Sequence, residues 1–427
     1  MNCKTLKSWQ TRVIILCWCA YASIYLGRNN LSVAIPEIQN YLGINKSQVG
    51  MIGGLFLWIY GIGQLINGYI GDKVSSRIYI FFGLLVTALS NILFGFASSL
   101  AMMSILWIFN GYFQSMLWGP MSKTITHWVP PDKRSFAAIV ISTSGIGGTL
   151  ITFLLAGRIM ENLNWRWVFI IPGIMILLFS FIWYIFVRNH PQDVGFSLSS
   201  SEAIHKDNAH IEDHESYTLL EVIKKTKLWF IIVACFAQGI VKDGINLWAP
   251  TFFMETHHLD IKSATSLIIV IPLMSFGGIV LSGWLNRMLK LKEKITVAIL
   301  FIVGILMILG LNTLGSKSAF AGITFLGLSS AMMNGANAIL LGIIPMKFDK
   351  YNKVSAIAGT LDFCSYFISG FSASITGLIV DLFNWSGVMF FWMAVTVIGT
   401  ISLAFSHLSE NGAIIKTNTK VQSEVQL

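Results

Sequence analysis

Twelve times along this chain the sequence stays apolar for about the length of a helix that crosses a bilayer. The runs lie near residues 12–35, 49–71, 78–97, 100–122, 135–157, 167–187, 228–252, 264–286, 295–313, 318–345, 354–379 and 387–407. Roughly 20 apolar residues at about 1.5 Å each cover the hydrocarbon core, and inside it only a segment that satisfies its own backbone polar groups is stable. Charged residues make up 11% of the chain and hydrophobic ones 55%, whereas a soluble surface needs about 25% charged residues. The expected fold is therefore an all-α integral membrane protein of twelve transmembrane helices.

The distribution of the formal net charge of +9 reads as topology rather than as a nucleic-acid footprint. Of the 29 Lys and Arg, only Arg28 and Lys242 fall inside spans. Five (Lys46, Arg158, Arg166, Lys262, Lys317) fall at one set of span ends, and all the others in the amino terminus, the even-numbered connections and the carboxyl tail. Excess Lys and Arg mark the cytoplasmic side, so both termini are expected there, in a cell (plasma or inner) membrane. The amino terminus, with Lys4 and Lys7 before a long apolar run, has no small-residue cleavage site and reads as a retained first helix rather than a signal peptide. The five cysteines lie in spans or in the amino terminus, which rules out an external disulfide framework.

Repetition divides the chain. Gly157-Arg-Ile-Met-Glu-Asn-Leu-Asn-Trp165 matches Gly377-Leu-Ile-Val-Asp-Leu-Phe-Asn-Trp385 at the Gly, acidic, Asn and Trp positions. The corner from Asp132 through Ile139 is echoed loosely by Asp349 through Ile357. The expected organisation is a six-helix bundle over 1–188, a cytoplasmic linker over 189–225, a second six-helix bundle over 226–407 and a tail over 408–427, the parallel repeat that some transporter folds carry. Three histidines in the linker (His205, His210, His214) lack cysteine partners and ligand spacing, so a solvated segment is expected there and no metal.

The repeat also pairs the two intramembrane cations. Tyr25-Leu-Gly-Arg-Asn-Asn-Leu-Ser-Val-Ala-Ile-Pro36 answers Gly239-Ile-Val-Lys-Asp-Gly-Ile-Asn-Leu-Trp-Ala-Pro250, with the proline equally far from Arg28 and from Lys242. A cation at mid-membrane costs about 2.5–3.5 kcal/mol on insertion scales and marks function. On a continuous helix Tyr21, Tyr25, Arg28 and Ser32 share one face, and Gln238, Lys242 and Asn246 form the matching stripe. Two cations facing one path suit an anion between them. A phosphate monoester carries about −1.5 to −2 charge, arginine grips it with paired hydrogen bonds, and lysine is a movable point charge. The competing reading neutralises each cation with a carboxylate: Asp243, expected on a different face from Lys242, or Asp362, which could pair with Lys242 or carry a proton.

Gly68-Tyr-Ile-Gly-Asp-Lys73 at a turn suggests a gate built on Asp72 and Lys73, with Arg134 at the next such corner; in the second half Asn286 replaces the acid. Gly145, Gly147 and Gly148 read as close helix packing, because no Lys-Ser/Thr follows them as in a nucleotide loop. The chain has no Walker motif, nucleophile elbow or HExxH, so neither an enzyme nor an ATP-driven pump is expected, and no cofactor.

These stretches, with Asn110-Gly-Tyr-Phe-Gln-Ser-Met-Leu-Trp-Gly-Pro120, Arg188-Asn-His-Pro-Gln-Asp-Val-Gly195 and Leu247-Trp-Ala-Pro-Thr251, carry a resemblance. Over essentially its whole length the chain resembles the major facilitator superfamily, and most closely its organophosphate:phosphate antiporters. The resemblance implies that Arg28 and Lys242 clamp phosphate and that an organic phosphate is exchanged for inorganic phosphate by alternating access, in a monomer. The glycerol-phosphate carriers have a lysine where this chain has Gln64, and a histidine at the position of Gly145. A related symporter family shares the Arg-Asn-Leu-Ser pattern, which leaves a proton-coupled carrier of hexuronates or aldarates as one alternative; a membrane sensor of sugar phosphates is another.

Overall fold

Helix is the only regular structure among the residues described by the computed structural model, 3–196, 218–290, 292–351 and 354–425. In chain order the first helices are α1 (Cys3–Leu26), α2 (Asn30–Leu42), α3 (Lys46–Lys73) and α4 (Ser76–Phe96), followed by α5 (Leu100–Gln114), α6 (Trp118–Trp128), α7 (Pro131–Asn162) and α8 (Trp167–Phe186). After the linker come α9 (Leu219–Lys225), α10 (Trp229–His257), α11 (Ile261–Ile268), α12 (Val270–Met288), α13 (Glu293–Thr313) and α14 (Ala319–Asn337). A π turn (Ala338–Ile343) and a 3-10 turn (Ile344–Tyr351) extend α14, and α15 (Val354–Val425) follows. The linker histidines His205, His210 and His214 lie outside the described residues.

Ten stretches among the described residues are long and apolar enough to cross a membrane. One of them, residues 356–408, holds two spans that meet at Asn384, whose positive φ of 59° breaks the helix; α1 with α2 supplies a further span, so the expected twelve stand. Local chemistry sets the ends. Gly43 closes α2 with φ 63°, a left-handed turn that costs glycine little. Two residues on, the Asn45 side chain accepts from the Gln48 backbone N–H while Gln48 reaches back to Asn45, a reciprocal cap that starts α3.

The helices form two compact units. The first comprises Met1–Glu215 with two later segments, Asn246–Pro272 and Ala373–Leu378. In it α1 packs on α7, α3 on α5 and α4 on α8. Lipid gives helices no hydrophobic reason to associate, so backbones must approach closely enough for dispersion to act. The predicted small-residue face does this: a Cβ on Gly148 of α7 would sit 2.4 Å from the Ala22 carbonyl of α1, and one on Gly147 would meet the Trp18 ring at 2.7 Å. The later segments join through matching contacts. The Trp248 indole donates to the Ala373 carbonyl, the Ser47 and Ser374 hydroxyls lie 3.0 Å apart, and Lys46 pairs with Glu255 at 3.1 Å and Lys262 with Glu161 at 2.6 Å.

The second unit comprises Ser216–Ile245, Leu273–Ser372 and Ile379–Leu427. Here α12 and α14 meet through glycine: a Cβ on Gly278 would fall 2.1 Å from the Ala331 carbonyl, and Ser275 and Ser330 bond beside it at 2.9 Å. Asn286, where the first half has an acid, is buried and accepts from the Thr296 hydroxyl at 3.1 Å, so it joins α12 to α13.

The Gly278 contact is with backbone and cannot yield by rotating a side chain. Gly278→Ala should therefore lower the detergent-solubilised thermal midpoint by several degrees, the cost of overpacking by about 1–3 kcal/mol. Gly283→Ala on the same helix meets open space and should leave it unchanged; equal shifts for both variants would contradict the packing account.

Candidate functional site

Arg28 does not sit on a continuous helix. The helix is interrupted by a turn at Gly27–Asn29, between α1 and α2: the Arg28 amide bonds the Tyr25 carbonyl three residues back at 3.2 Å, while Asn29, still in the αR region, keeps a bond to the same carbonyl at 3.0 Å. The expected four-residue stripe is thus interrupted: Tyr21, Tyr25 and Arg28 remain neighbours, but Ser32 is buried and bonds the Asn29 carbonyl. The apolar period runs through the break unchanged, so hydropathy alone shows an intact span.

A break at membrane depth exposes backbone polar groups that must find partners within the protein. The Gly27 carbonyl receives three side-chain amides: Asn110 at 2.7 Å, Asn91 at 3.2 Å and Gln114 at 3.3 Å. The amides also bond one another. Asn91 and Gln114 both donate to the Asn110 carbonyl oxygen, and Asn30 of α2 donates to Asn91 and to the Val168 backbone. All four amide residues are fully buried. Gly27 has to be glycine for this approach, since a Cβ would lie 2.7 Å from the Asn91 nitrogen. On the other side Asn29 donates to the Thr149 hydroxyl on α7 at 2.9 Å.

The network aims Arg28. Its Nε donates to the Gln114 side-chain oxygen at 3.3 Å, and the guanidinium lies over the rings of Tyr60 (4.4 Å), Phe56 (5.0 Å) and Tyr25 (5.2 Å). These four neutral groups orient the cation. Tyr21 continues the aromatic wall, 5.7 Å from Tyr25 and 5.1 Å from Trp118 by ring centroid. Sequence reasoning missed Phe56, Tyr60, Asn91, Asn110 and Gln114. The available signal was the buried-amide spacing Asn110 to Gln114, one helical turn apart in an otherwise apolar span. Gly145 lies against this wall: a Cβ there would sit 3.0 Å from the Tyr25 hydroxyl, so a bulky side chain at 145 requires Tyr25 to move.

The second cation sits differently. Lys242 on α10 pairs with its neighbour Asp243 at 3.5 Å, and both side chains are nearly buried. Asp243, expected on a different face, is nevertheless within reach of the Lys242 ammonium. The ammonium also lies 5.5 Å from the Tyr366 ring on α15, and Asp362 stands one turn before Tyr366 on that helix. Gln238 is fully buried and donates to Ser365 at 2.7 Å, which makes it a tether between α10 and α15; Asn246 is exposed. Of the expected gate residues, Asp72 and Arg134 have side chains outside the described residues. Lys73 is exposed and stacks its ammonium on Tyr69 at 3.9 Å. At the turn after α3, Lys123 of α6 donates to the Gly71 and Val74 carbonyls at 3.2 Å each.

The family model for the Major Facilitator Superfamily matches residues 17–370. A probable hexose phosphate transport protein of Chlamydia muridarum is 27% identical over 94% of this chain and 91% of its own length. The glycerol-3-phosphate transporter of Bacillus subtilis is 28% identical over 94% of this chain and 93% of its own. Among solved structures, an inward-facing, unoccupied bacterial homologue of the human lysosomal transporter Spinster is similar in fold. It has a TM-score of 0.77 at 14% identity, covering 94% of this chain and 97% of that one.

Removing the shortest amide contact should unseat the break. Asn110→Leu leaves the Gly27 carbonyl with its two longer partners and is expected to cost about 0.5–1.5 kcal/mol, the net contribution of one hydrogen bond. It should be read as a lower thermal midpoint in detergent. Exposed Asn162→Ala, at the end of α7, should leave the midpoint in place.

Proposed function

The chain belongs to the Major Facilitator Superfamily, and from that premise we propose that it is a secondary transporter exchanging an organic phosphate ester for inorganic phosphate by alternating access. The ester is a small one, a sugar phosphate or glycerol phosphate. Arg28 is the principal phosphate ligand, and Lys242 is the second cation that the sequence repeat pairs with it. The observation that carries the reading is the setting of Arg28: a guanidinium oriented by Gln114, Tyr25, Phe56 and Tyr60 on a purpose-built break in a membrane helix. The names of the hexose phosphate and glycerol-3-phosphate relatives, each matched over more than nine-tenths of both chains, support the substrate class. Tyr21 and Asn246 are secondary substrate contacts in this reading, and Asp72, Lys73 and Arg134 belong to its gate.

The pairing of Lys242 with Asp243 refines the mechanism. An incoming phosphate has to draw the ammonium from a carboxylate 3.5 Å away, so leaving Asp243 offsets part of what Lys242 gains from the phosphate. Lysine suits that role, being a flexible point charge where arginine is a fixed fork. The bundles over 1–188 and 226–407 are the moving halves, both termini are cytoplasmic and the membrane is the cell membrane. No catalytic chemistry is assigned.

Counterflow of labelled phosphate in proteoliposomes tests this. Wild-type protein should accumulate label against trapped organophosphate without a pH gradient, which a proton-coupled carboxylate carrier does not do. Arg28→Ala should abolish exchange with membrane insertion intact, Lys242→Arg should retain part of it and Lys242→Ala should not. Undiminished exchange by Arg28→Ala would overturn the assignment, and binding of the ester without any flux would identify a sensor instead.

A further inference from the structure

Two buried polar atoms flank one residue of α10, and the phosphate reading uses neither. Asp243 meets the Lys242 ammonium through one carboxylate oxygen at 3.5 Å; its other oxygen is buried without a hydrogen-bond partner among the described residues. Trp392 of α15 is 3% exposed, and its indole nitrogen is likewise buried without a partner among them. A buried indole N–H normally finds an acceptor, as buried polar groups in general find partners. The part of α15 after Asn384 runs antiparallel along α10: Ser402 donates to the Phe230 carbonyl at 2.9 Å, and a Cβ on Gly399 would lie 2.7 Å from that of Ala237. One helical stretch on, a Cβ on Gly244 would lie 2.9 Å from Cζ2 and 3.2 Å from Nε1 of Trp392. The indole edge therefore rests on the residue next to Asp243, whose Cα is about 3.8 Å from that of Gly244. Glycine is required there, since a side chain would collide with the ring.

We propose that Trp392 is a positioning residue for the anion site: when phosphate draws Lys242 away, the Asp243 carboxylate turns to the Trp392 indole N–H. The inference rests on the reading of Lys242 as a phosphate ligand and adds what becomes of the acid it leaves. A carboxylate stripped of its cation inside the membrane is costly, because its charge is buried and unpaired. A donor held ready beside it lowers that cost, and hydrogen bonds to an ionised acceptor are the strong ones. Trp392 suits the task. Its indole donates and cannot accept, so it serves the carboxylate without competing for the ammonium. Its packing against Gly244 fixes the ring, so little freedom is lost when the bond forms. In the empty site the ammonium holds Asp243 and the indole N–H stands idle, which accounts for a donor and an acceptor left unpaired one residue apart.

Indole ¹⁵N–¹H spectra of the full-length protein in nanodiscs test this, with Trp392→Phe assigning its signal among the 14 tryptophans. Titration with inorganic phosphate should move the Trp392 indole proton downfield in wild type, in step with phosphate saturation, and should leave it in place in Asp243→Ala. Affinity supplies a second readout. Trp392→Phe keeps an aromatic ring and loses the donor, so it should weaken phosphate binding about tenfold, the worth of a hydrogen bond to a charged group. In an Asp243→Ala background the same substitution should change affinity less than twofold, whereas a purely structural role for the ring would act equally in both backgrounds. A Trp392 signal that stays still while phosphate saturates the protein, or an equal Trp392→Phe effect with and without Asp243, overturns the proposal and leaves the phosphate site standing. Wild-type protein that binds no phosphate overturns the phosphate reading itself, and this inference with it.

Discussion

One backbone carbonyl, that of Gly27, organises the first unit. A helix that unwinds within a membrane has to return its freed polar groups to the protein, and here three amides from α4 and α5 converge on a single oxygen. That convergence explains several features at once. Gly27 lacks a side chain so that Asn91 can approach. Asn110 and Gln114 stand one turn apart on α5, and Asn30 opens α2 with its amide turned to Asn91. Gln114 belongs both to the support of the break and to the hold on Arg28, so positioning of the cation and stability of the break are coupled through one side chain.

The sequence showed much of this frame and little of its detail. Span number and the glycine face of α7 followed from hydropathy and small-residue spacing. The break did not, because a three-residue interruption leaves the apolar period intact and no proline marks it; Pro36 lies farther on, inside α2. Nor did the aromatic wall: Phe56 and Tyr60 on α3 look like ordinary lipid-facing or packing aromatics until their rings are seen against Arg28 in the turn between α1 and α2. The Lys242–Asp243 pair was misjudged because helical projection places Cβ atoms and says little about where a long flexible side chain ends.

The two cations are therefore unequal. Arg28 donates to Gln114 and lies over the Tyr60, Phe56 and Tyr25 rings. Lys242 is held by a carboxylate it can leave. Gly145 leaves room for the Tyr25 hydroxyl and so keeps the Tyr25 ring beside Arg28.

The claim at the centre of this account is that Arg28 on its helix break is where phosphate binds. Equilibrium binding of inorganic phosphate to the purified protein, compared between wild type and Arg28→Gln, addresses it without requiring transport. Glutamine keeps a polar side chain near the amide network while removing the charge. The account predicts that affinity falls by at least about tenfold, the loss of a charge-assisted hydrogen-bond pair, with the thermal midpoint of the ligand-free protein little changed. Unaltered phosphate affinity in a folded Arg28→Gln protein would contradict it.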